Sequence, residues 1–328
     1  MRNIRKLVAA AVIAVLCGAG WFGWSAYPLS SSGSQIAIRV SPGESVAQVA
    51  TSLQEAGVLR SALAFRVDTM IFGAPLIRDG YYVIHKNASH GEIRRVLSST
   101  PNAHVVTVFA GATIRQISRQ METVKGQGFA SAWRSLALTT PDTAFGSSNH
   151  EGLLGTGAYI IGDEELPKTL LSRMQQRFVR QFAALGLRPE SRVHGLSAYQ
   201  FVTAASIVEK EGYYPKNMPK VARVILNRLA RGGGLQMDAT VLYFLDKDGV
   251  TVTPSMLQIR TPYNTYLSPG LTPTPIAQVG RDALEAMLHP PVGSWLYFVV
   301  VDKSGTEAFA VTYAEHLRNI ELARSRGL

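Results

Sequence analysis

"IAIRVSPGESVAQVATSLQEAGVL", Ile36 to Leu59, is where the chain first switches hydrophobic period. Ile36, Ile38 and Val40 recur every second residue, as a half-buried strand requires. Pro42 and Gly43 make a turn. Ser45 stands where a helix N-cap belongs, and Val46, Val49, Ala50 and Leu53 follow at helical spacing until Gly57. The pattern returns 68 residues later, where Val108, Gly111, Thr113, Ile114, Gln116 and Ile117 match Val40, Gly43, Ser45, Val46, Gln48 and Val49. Two copies do not make a solenoid. They read as two related strand–turn–helix units, or as the common look of any such unit. Either way the chain is α+β.

Outward from this stretch, residues 36–102 make one small domain, with a helix near Leu63 to Phe72 and a strand from Gly80 to Ile84. A middle region, 103–195, holds a polar loop from Pro141 to His150. It also holds an amphipathic helix in Leu166 to Phe182, with Leu170, Leu171, Met174, Phe178 and Phe182 on one face. Residues 196–328 carry a helix ending near Glu211 and a second from Met218 to Arg231. Asn217 is the expected N-cap of the second, and Gly232-Gly233-Gly234 stops it. Strands from Trp295 to Asp302 and Glu307 to Tyr313 form a hairpin around Lys303-Ser304-Gly305-Thr306.

On the N-terminal side, Arg2, Arg5 and Lys6 precede an apolar run. Residues 1–6 read as a cytoplasmic tail, 7–27 as a single membrane anchor and 28–35 as a serine-rich linker. The run reaches the roughly 20 residues that span a bilayer, and its positive flank puts the N-terminus in the cytoplasm. A cleaved signal peptide is the rival reading; the length of the run and its aromatic end, Trp21, Trp24 and Tyr27, favour the anchor. Cys17, the only cysteine, lies inside the run, so the body has no disulfide.

The 328 residues are 46% hydrophobic and 17% charged, enough for a folded core. A net charge of +10 favours an acidic partner. The basic residues are dispersed and no nucleic-acid signature is present, so nucleic acid is not the expected partner. The seven histidines show no metal-binding spacing, and no Gly-x-Ser-x-Gly turn occurs.

The chemistry concentrates in "ASIVEKEGYY", Ala205 to Tyr214, where an apolar helix runs out in Glu209-Lys210-Glu211-Gly212. Helical residues two apart point about 200° apart, so Glu209 and Glu211 do not share one substrate atom, unlike the paired carboxylates of ordinary glycosidases. Glu209 continues the stripe of Phe201, Ala205 and Val208 and is the one expected to face inward. A carboxyl against apolar surface favours its neutral form and suits a general acid. On spacing alone, a salt-bridged helix end competes with this reading. "LQMDATVLY", Leu235 to Tyr243, puts Gln236, Asp238 and Thr240 on one face if extended. "TPYNTYLSPGLTPTPI", Thr261 to Ile276, is a stiff loop carrying amide and phenol groups suited to sugar. His316 opens a helix in Tyr313 to Asn319.

These segments resemble the endolytic murein transglycosylases, the MltG or YceG-like family of membrane-anchored lytic transglycosylases. The resemblance rests on Ala205-Ser206-Ile207-Val208-Glu209-Lys210-Glu211, Asn227-Arg228-Leu229, Leu235-Gln236-x-Asp238-x-Thr240-Val241-x-Tyr243 and Pro262-Tyr263-Asn264-Thr265-Tyr266. Gly270-Leu271-x-Pro273-x-Pro275-Ile276, His289-Pro290, Tyr297-Phe298 and Glu315-His316 follow in order.

The resemblance implies a lyase that cuts the β-1,4 bond between N-acetylmuramic acid and N-acetylglucosamine in nascent glycan strands, without cofactor, leaving 1,6-anhydro ends. It implies Glu209 as the acid/base. Glu211, Gln236, Asp238, Thr240, Tyr263, Asn264, Tyr266 and His316 would bind substrate. Residues 36–102 would be LysM-like. The site would be the outer face of the inner membrane, beside peptidoglycan synthases such as penicillin-binding proteins. A peptidoglycan-binding scaffold with impaired catalysis and a muramidase-type hydrolase are the alternatives.

Four places depart from the family pattern. Ala110-Gly111 replaces Glu-Gly. Thr156, Gly157 and Ala158 replace a Pro-Asp-Thr. Ala239 replaces the proline of Asp-Pro-Thr, and Glu307 stands where a histidine is usual.

Overall fold

The computed structural model describes residues 2–27, 34–212, 214–247 and 249–328. Most of the expected linker, 28–33, lies outside the described residues. The chain divides into two compact units.

The first unit comprises Met1–Val105 with Ile160–Glu165. It opens with helix α1 (Arg2–Ala26), long and apolar enough to cross a membrane. Strand β1 (Gln35–Val40), helix α2 (Val46–Glu55), helix α3 (Ala62–Phe72) and strand β2 (Gly80–His85) follow. β1 pairs antiparallel with β2, from Gln35 opposite His85 to Val40 opposite Gly80. Helix α4 (His90–Ser98) leads to strand β3 (Ala103–Val108), antiparallel to β2. With β4 (Gly157–Gly162) the sheet order is β1-β2-β3-β4. Leu53, Phe65, Tyr82, Ile84, Ile93 and Leu97 form the core between sheet and helices.

The two copies of the sequence pattern fold alike. Ser45 caps α2 and Thr113 caps helix α5 (Ile114–Thr139). Each makes a full capping box with a glutamine three residues on. Gly43 and Gly111 turn the chain before each helix at φ +79° and +80°, a conformation that Gly adopts without the Cβ penalty.

The second unit comprises Val106–Tyr159 and Leu166–Leu328. After α5 come helix α6 (Pro167–Ala183) and the short strands β5 (Arg192–Val193) and β6 (Leu196–Ser197). Helices α7 (Ala198–Glu211), α8 (Met218–Ala230), α9 (Asp238–Phe244) and α10 (Arg281–Leu288) follow. Strands β7 (Tyr297–Val300) and β8 (Glu307–Ala310) and helix α11 (Tyr313–Ser325) complete the unit. The apolar face expected of α6 is buried at all five positions. Phe178 and Phe182 stack at 5.6 Å, and Phe201 of α7 meets Phe182 edge-on.

α7 is the centre of this core. Ser197 and Gln200 cap it reciprocally, and every residue from Phe201 to Val208 is buried. A helix apolar on all sides is an interior helix, so no stripe singles out one glutamate at its end. Gly212 ends it at close quarters: a Cβ there would lie 2.6 Å from Met218 Cγ.

Two local expectations are corrected. Asn217 occupies the N-cap position of α8 without a side-chain cap; its Nδ2 donates instead to Gly305 O at 2.9 Å. Residues 238–244 are helical, not extended, so Gln236, Asp238 and Thr240 do not share a strand face.

Candidate active site

The two glutamates at the end of α7 diverge, as the helical angle requires. Glu209 Oε2 accepts from Gly280 N at 2.9 Å, at the N-cap of α10. Gly280 brings no capping side chain, and Glu209 supplies the acceptor that the helix start needs. A Cβ at Gly280 would lie 2.9 Å from Ala110 Cβ and 3.1 Å from Glu209 Oε2, so glycine permits the approach. Burial raises the Glu209 pKa against the opposing Gly280 bond, and Asp282 raises it further.

Glu211 faces the other way, into a cavity of about 300 Å³. Its Oε1 accepts from Ala239 N at 3.0 Å, in the first turn of α9. Desolvation pushes its pKa up to about 7, countered chiefly by the Ala239 bond and increased by Asp238. At neutral pH a substantial fraction therefore carries a proton. With Oε1 occupied by the amide, Oε2 is the oxygen left to hold it.

The walls come from four places. Gln236, Met237 and Asp238 precede and open α9; Tyr266 belongs to the proline-rich loop; Arg228 is on α8. Tyr297, Phe298, Tyr313 and His316 close the far side. Tyr266 OH donates to Asp238 Oδ1 at 2.6 Å. Arg228 donates to Leu296 O and Leu235 O, and lies 5.7 Å from the Tyr297 ring centre. His316 stacks on Tyr297 at 5.2 Å. Its Nδ1 is buried without a hydrogen-bond partner. Burial, then Arg228, lowers its pKa, so near neutral pH the ring is uncharged. Gln236 sits at φ +52°, a left-handed backbone uncommon for a side-chain residue. Its N–H donates to Thr265 O at 3.0 Å. The preceding Gly234 passes so close that a Cβ would lie 2.4 Å from Thr265 O.

Of the residues expected to bind substrate, Glu211, Gln236, Asp238, Tyr266 and His316 meet at this cavity. Three do not reach it. Thr240 is fully buried, its hydroxyl bonded to Met237 O and to Thr265. Asn264 is fully buried and donates to Leu257 O and Ile259 O, while its Oδ1 accepts from Tyr266 N. Tyr263 pairs with the Thr274 hydroxyl at 2.9 Å and packs its ring on Phe244. All three shape the loop behind Tyr266. The expected acid/base, Glu209, is likewise not among the lining residues. Arg228, Tyr297 and Tyr313 were not assigned as binding residues. An arginine inside the apolar run of α8 was the available signal for Arg228, because such a charge needs an internal partner.

The departures have local explanations. Thr156 exchanges two hydrogen bonds with Gln181 of α6, and Ala158 O accepts from Arg177. Gly157 leaves room for that guanidinium, since a Cβ would lie 2.3 Å from Nη2. Ala239 supplies an N–H that a proline lacks. Glu307 is buried, with Oε2 unpartnered, and desolvation then the neighbouring Glu211 push its pKa up to about 7.

The chain and its fold have known relatives. The chain belongs to the YceG-like family, whose model matches residues 38–322. It is 31% identical over 299 residues to the endolytic murein transglycosylase of Bacillus subtilis (strain 168), covering 85% of this chain and 82% of that protein. The endolytic murein transglycosylase of Streptococcus pneumoniae serotype 2 (strain D39 / NCTC 7466) is 24% identical over 349 residues, covering 94% of this chain and 63% of its own length. The crystal structure of a putative yceG-like protein from Listeria monocytogenes has the same fold, with TM-score 0.53 and 22% identity, covering 88% of this chain and 99% of that one.

Proposed function

We propose that this protein is a peptidoglycan lytic transglycosylase with Glu211, in place of the expected Glu209, as its acid/base. The observation that carries the assignment is that Glu211 lines the cavity beside Asp238, Tyr266, Arg228 and His316 while Glu209 caps α10. Membership in the family and the two relatives named endolytic murein transglycosylase support the substrate class.

In this reading Glu211 gives its proton to the oxygen of the leaving N-acetylglucosamine as the C1–O bond of N-acetylmuramic acid breaks. The muramic acid C6 hydroxyl then attacks C1, and Glu211, now a carboxylate, takes the hydroxyl proton. A 1,6-anhydro ring closes and the enzyme returns to its starting protonation. One carboxyl does both transfers because the nucleophile belongs to the substrate. Asp238, fixed by Tyr266, and the uncharged His316 position sugar. No cofactor enters the scheme.

The apolar α1 supports a single-pass anchor in the cytoplasmic membrane with the N-terminus inside, which confines cutting to nascent strands near the synthases. The order β1-α2-α3-β2, with its outer strands paired, supports a LysM-like module in 36–102. The middle region 103–195 and the catalytic region 196–328 form the rest of the body.

Full-length protein in detergent, incubated with purified peptidoglycan, tests the proposal by mass spectrometry of the new chain ends. Anhydromuramyl ends are expected. Reducing ends would make it a hydrolase of the same bond, and binding without products would leave a scaffold.

A further inference from the structure

Helix α3 buries Phe65, Asp68 and Thr69 but leaves its C-terminal end apolar and open. Met70 is 78% exposed, Ile71 63% and Phe72 59%; Leu76, just beyond, is 71% exposed. Contiguous apolar exposure of this kind marks an interaction surface.

Contacts with α1 set the direction of α3. Arg60, just before α3, donates to Trp24 O at 2.7 Å and lies 4.7 Å from the Trp24 ring centre. Phe65, in the first half of α3, packs edge-on against His90 at 5.3 Å, and His90 packs edge-on against Phe22 at 6.0 Å. Moving forward along α3 therefore moves backward along α1, away from its aromatic end and toward its apolar middle. From Phe65 the helix continues for about 10 Å at 1.5 Å per residue, which carries its exposed end past Trp21 and Trp24, the aromatic residues that mark the edge of the hydrocarbon, toward the apolar middle of α1. The exposed Arg66 and Arg78 flank the patch, while Arg94, 5.0 Å from the Phe72 ring centre, is ion-paired with the buried Asp68 at 3.2 Å. Basic side chains around an apolar tip match anionic headgroups around acyl chains. Asp79 is the exposed acidic residue of the same stretch.

We propose that Met70, Ile71, Phe72 and Leu76 insert into the interface of the bilayer that α1 crosses, giving the first unit a second membrane contact. This rests on α1 being an uncleaved anchor. The partner is the lipid surface itself, because the patch continues the α1 surface and points along it.

Spin labels in the full-length chain, reconstituted in nanodiscs of zwitterionic and anionic lipid, test this. The native Cys17, exposed on α1, reports the anchor. In a Cys17→Ser background, Met70→Cys and Phe72→Cys report the patch, and Glu55→Cys on α2 reports solvent. At Cys17, Met70→Cys and Phe72→Cys, collision with oxygen is expected to exceed collision with a water-soluble nickel chelate several-fold, with the reverse at Glu55→Cys. Nickel access at positions 70 and 72, with Cys17 still in lipid, overturns the insertion and leaves the anchor standing. Nickel access at Cys17 overturns the anchor and the insertion with it. Protection of 70 and 72 from both reagents, with spin–spin broadening, assigns the patch to a second copy and also overturns the proposal.

Discussion

At the residue scale, Glu211 is tuned by a few neighbours whose effects have opposite signs. Ala239 N–H bonds its charged form and so lowers its pKa, while Asp238 raises it. Ala239→Pro removes the donor at a first-turn position that tolerates proline. Glu211 then holds its proton to higher pH, and the basic limb of the kcat/KM profile is expected to move up. Asp238→Asn removes the like charge and is expected to move that limb down, together with a rise in KM. Titrating kcat/KM across pH 5–9 for both variants checks the pair; limbs that stay put would detach Glu211 from the profile. None of this tuning was legible locally. "EKE" displays two carboxylates, but Ala239 and Gly280 lie far along the chain, and only their placement separates a helix cap from a cavity wall.

At the scale of elements, helices announced by a reciprocal cap or by an apolar stripe, as in α6, were readable, and α9 was not. Ser45, Thr113 and Ser197 each announce a helix with a glutamine three residues later, and all three form capping boxes. α9 offers no such signal: Met237 makes no side-chain cap, and Glu211 bonds its first turn from 28 residues away. Gln236, Asp238 and Thr240 alternating with the apolar Leu235, Met237, Ala239 and Val241 therefore imitate a strand. The cavity wall ahead of α9 depends on Gly234. Gly234→Ala would force a Cβ to 2.4 Å from Thr265 O, and overpacking of that kind costs about 1–3 kcal/mol. Because the displaced segment carries Gln236 and Asp238, kcat/KM is expected to fall at least tenfold. A folded Gly234→Ala protein with parental kinetics would show that this wall is not used.

At the scale of the whole molecule, the body carries several buried carboxyls that prefer to be neutral. Glu151, Glu211 and Glu307 each have pKa values pushed up to about 7, first by burial. Glu151 sits among Ile114 N–H, Gln278 and Tyr243 OH; Glu307 has one oxygen with no partner. A carboxyl whose folded pKa lies above its unfolded value binds more protons when folded, so it favours folding most at low pH and loses that advantage as pH rises through about 7. Thermal unfolding temperature is expected to fall between pH 5 and pH 8. Glu307→Gln is expected to raise the unfolding temperature at pH 8 and flatten the decline, by roughly 2–4 °C per kcal/mol recovered. A flat parental profile would contradict the burial of these groups in neutral form. The α+β class and the apolar N-terminal helix could be read from period and length alone. The burial of Glu151 and Glu307 could not, because it depends on packing across distant segments.

The most direct test of the central claim sets Glu211→Gln beside Glu209→Gln in the full-length protein, assayed on purified peptidoglycan for anhydromuramyl ends, with unfolding temperatures measured in parallel. Glu211→Gln is predicted to stay folded and lose at least about a hundredfold in rate, the scale of a missing general acid. Glu209→Gln is predicted to lose stability and keep its turnover when folded. Retained cleavage by Glu211→Gln, with Glu209→Gln folded and inactive, would return the chemistry to Glu209 and contradict the assignment drawn from the cavity.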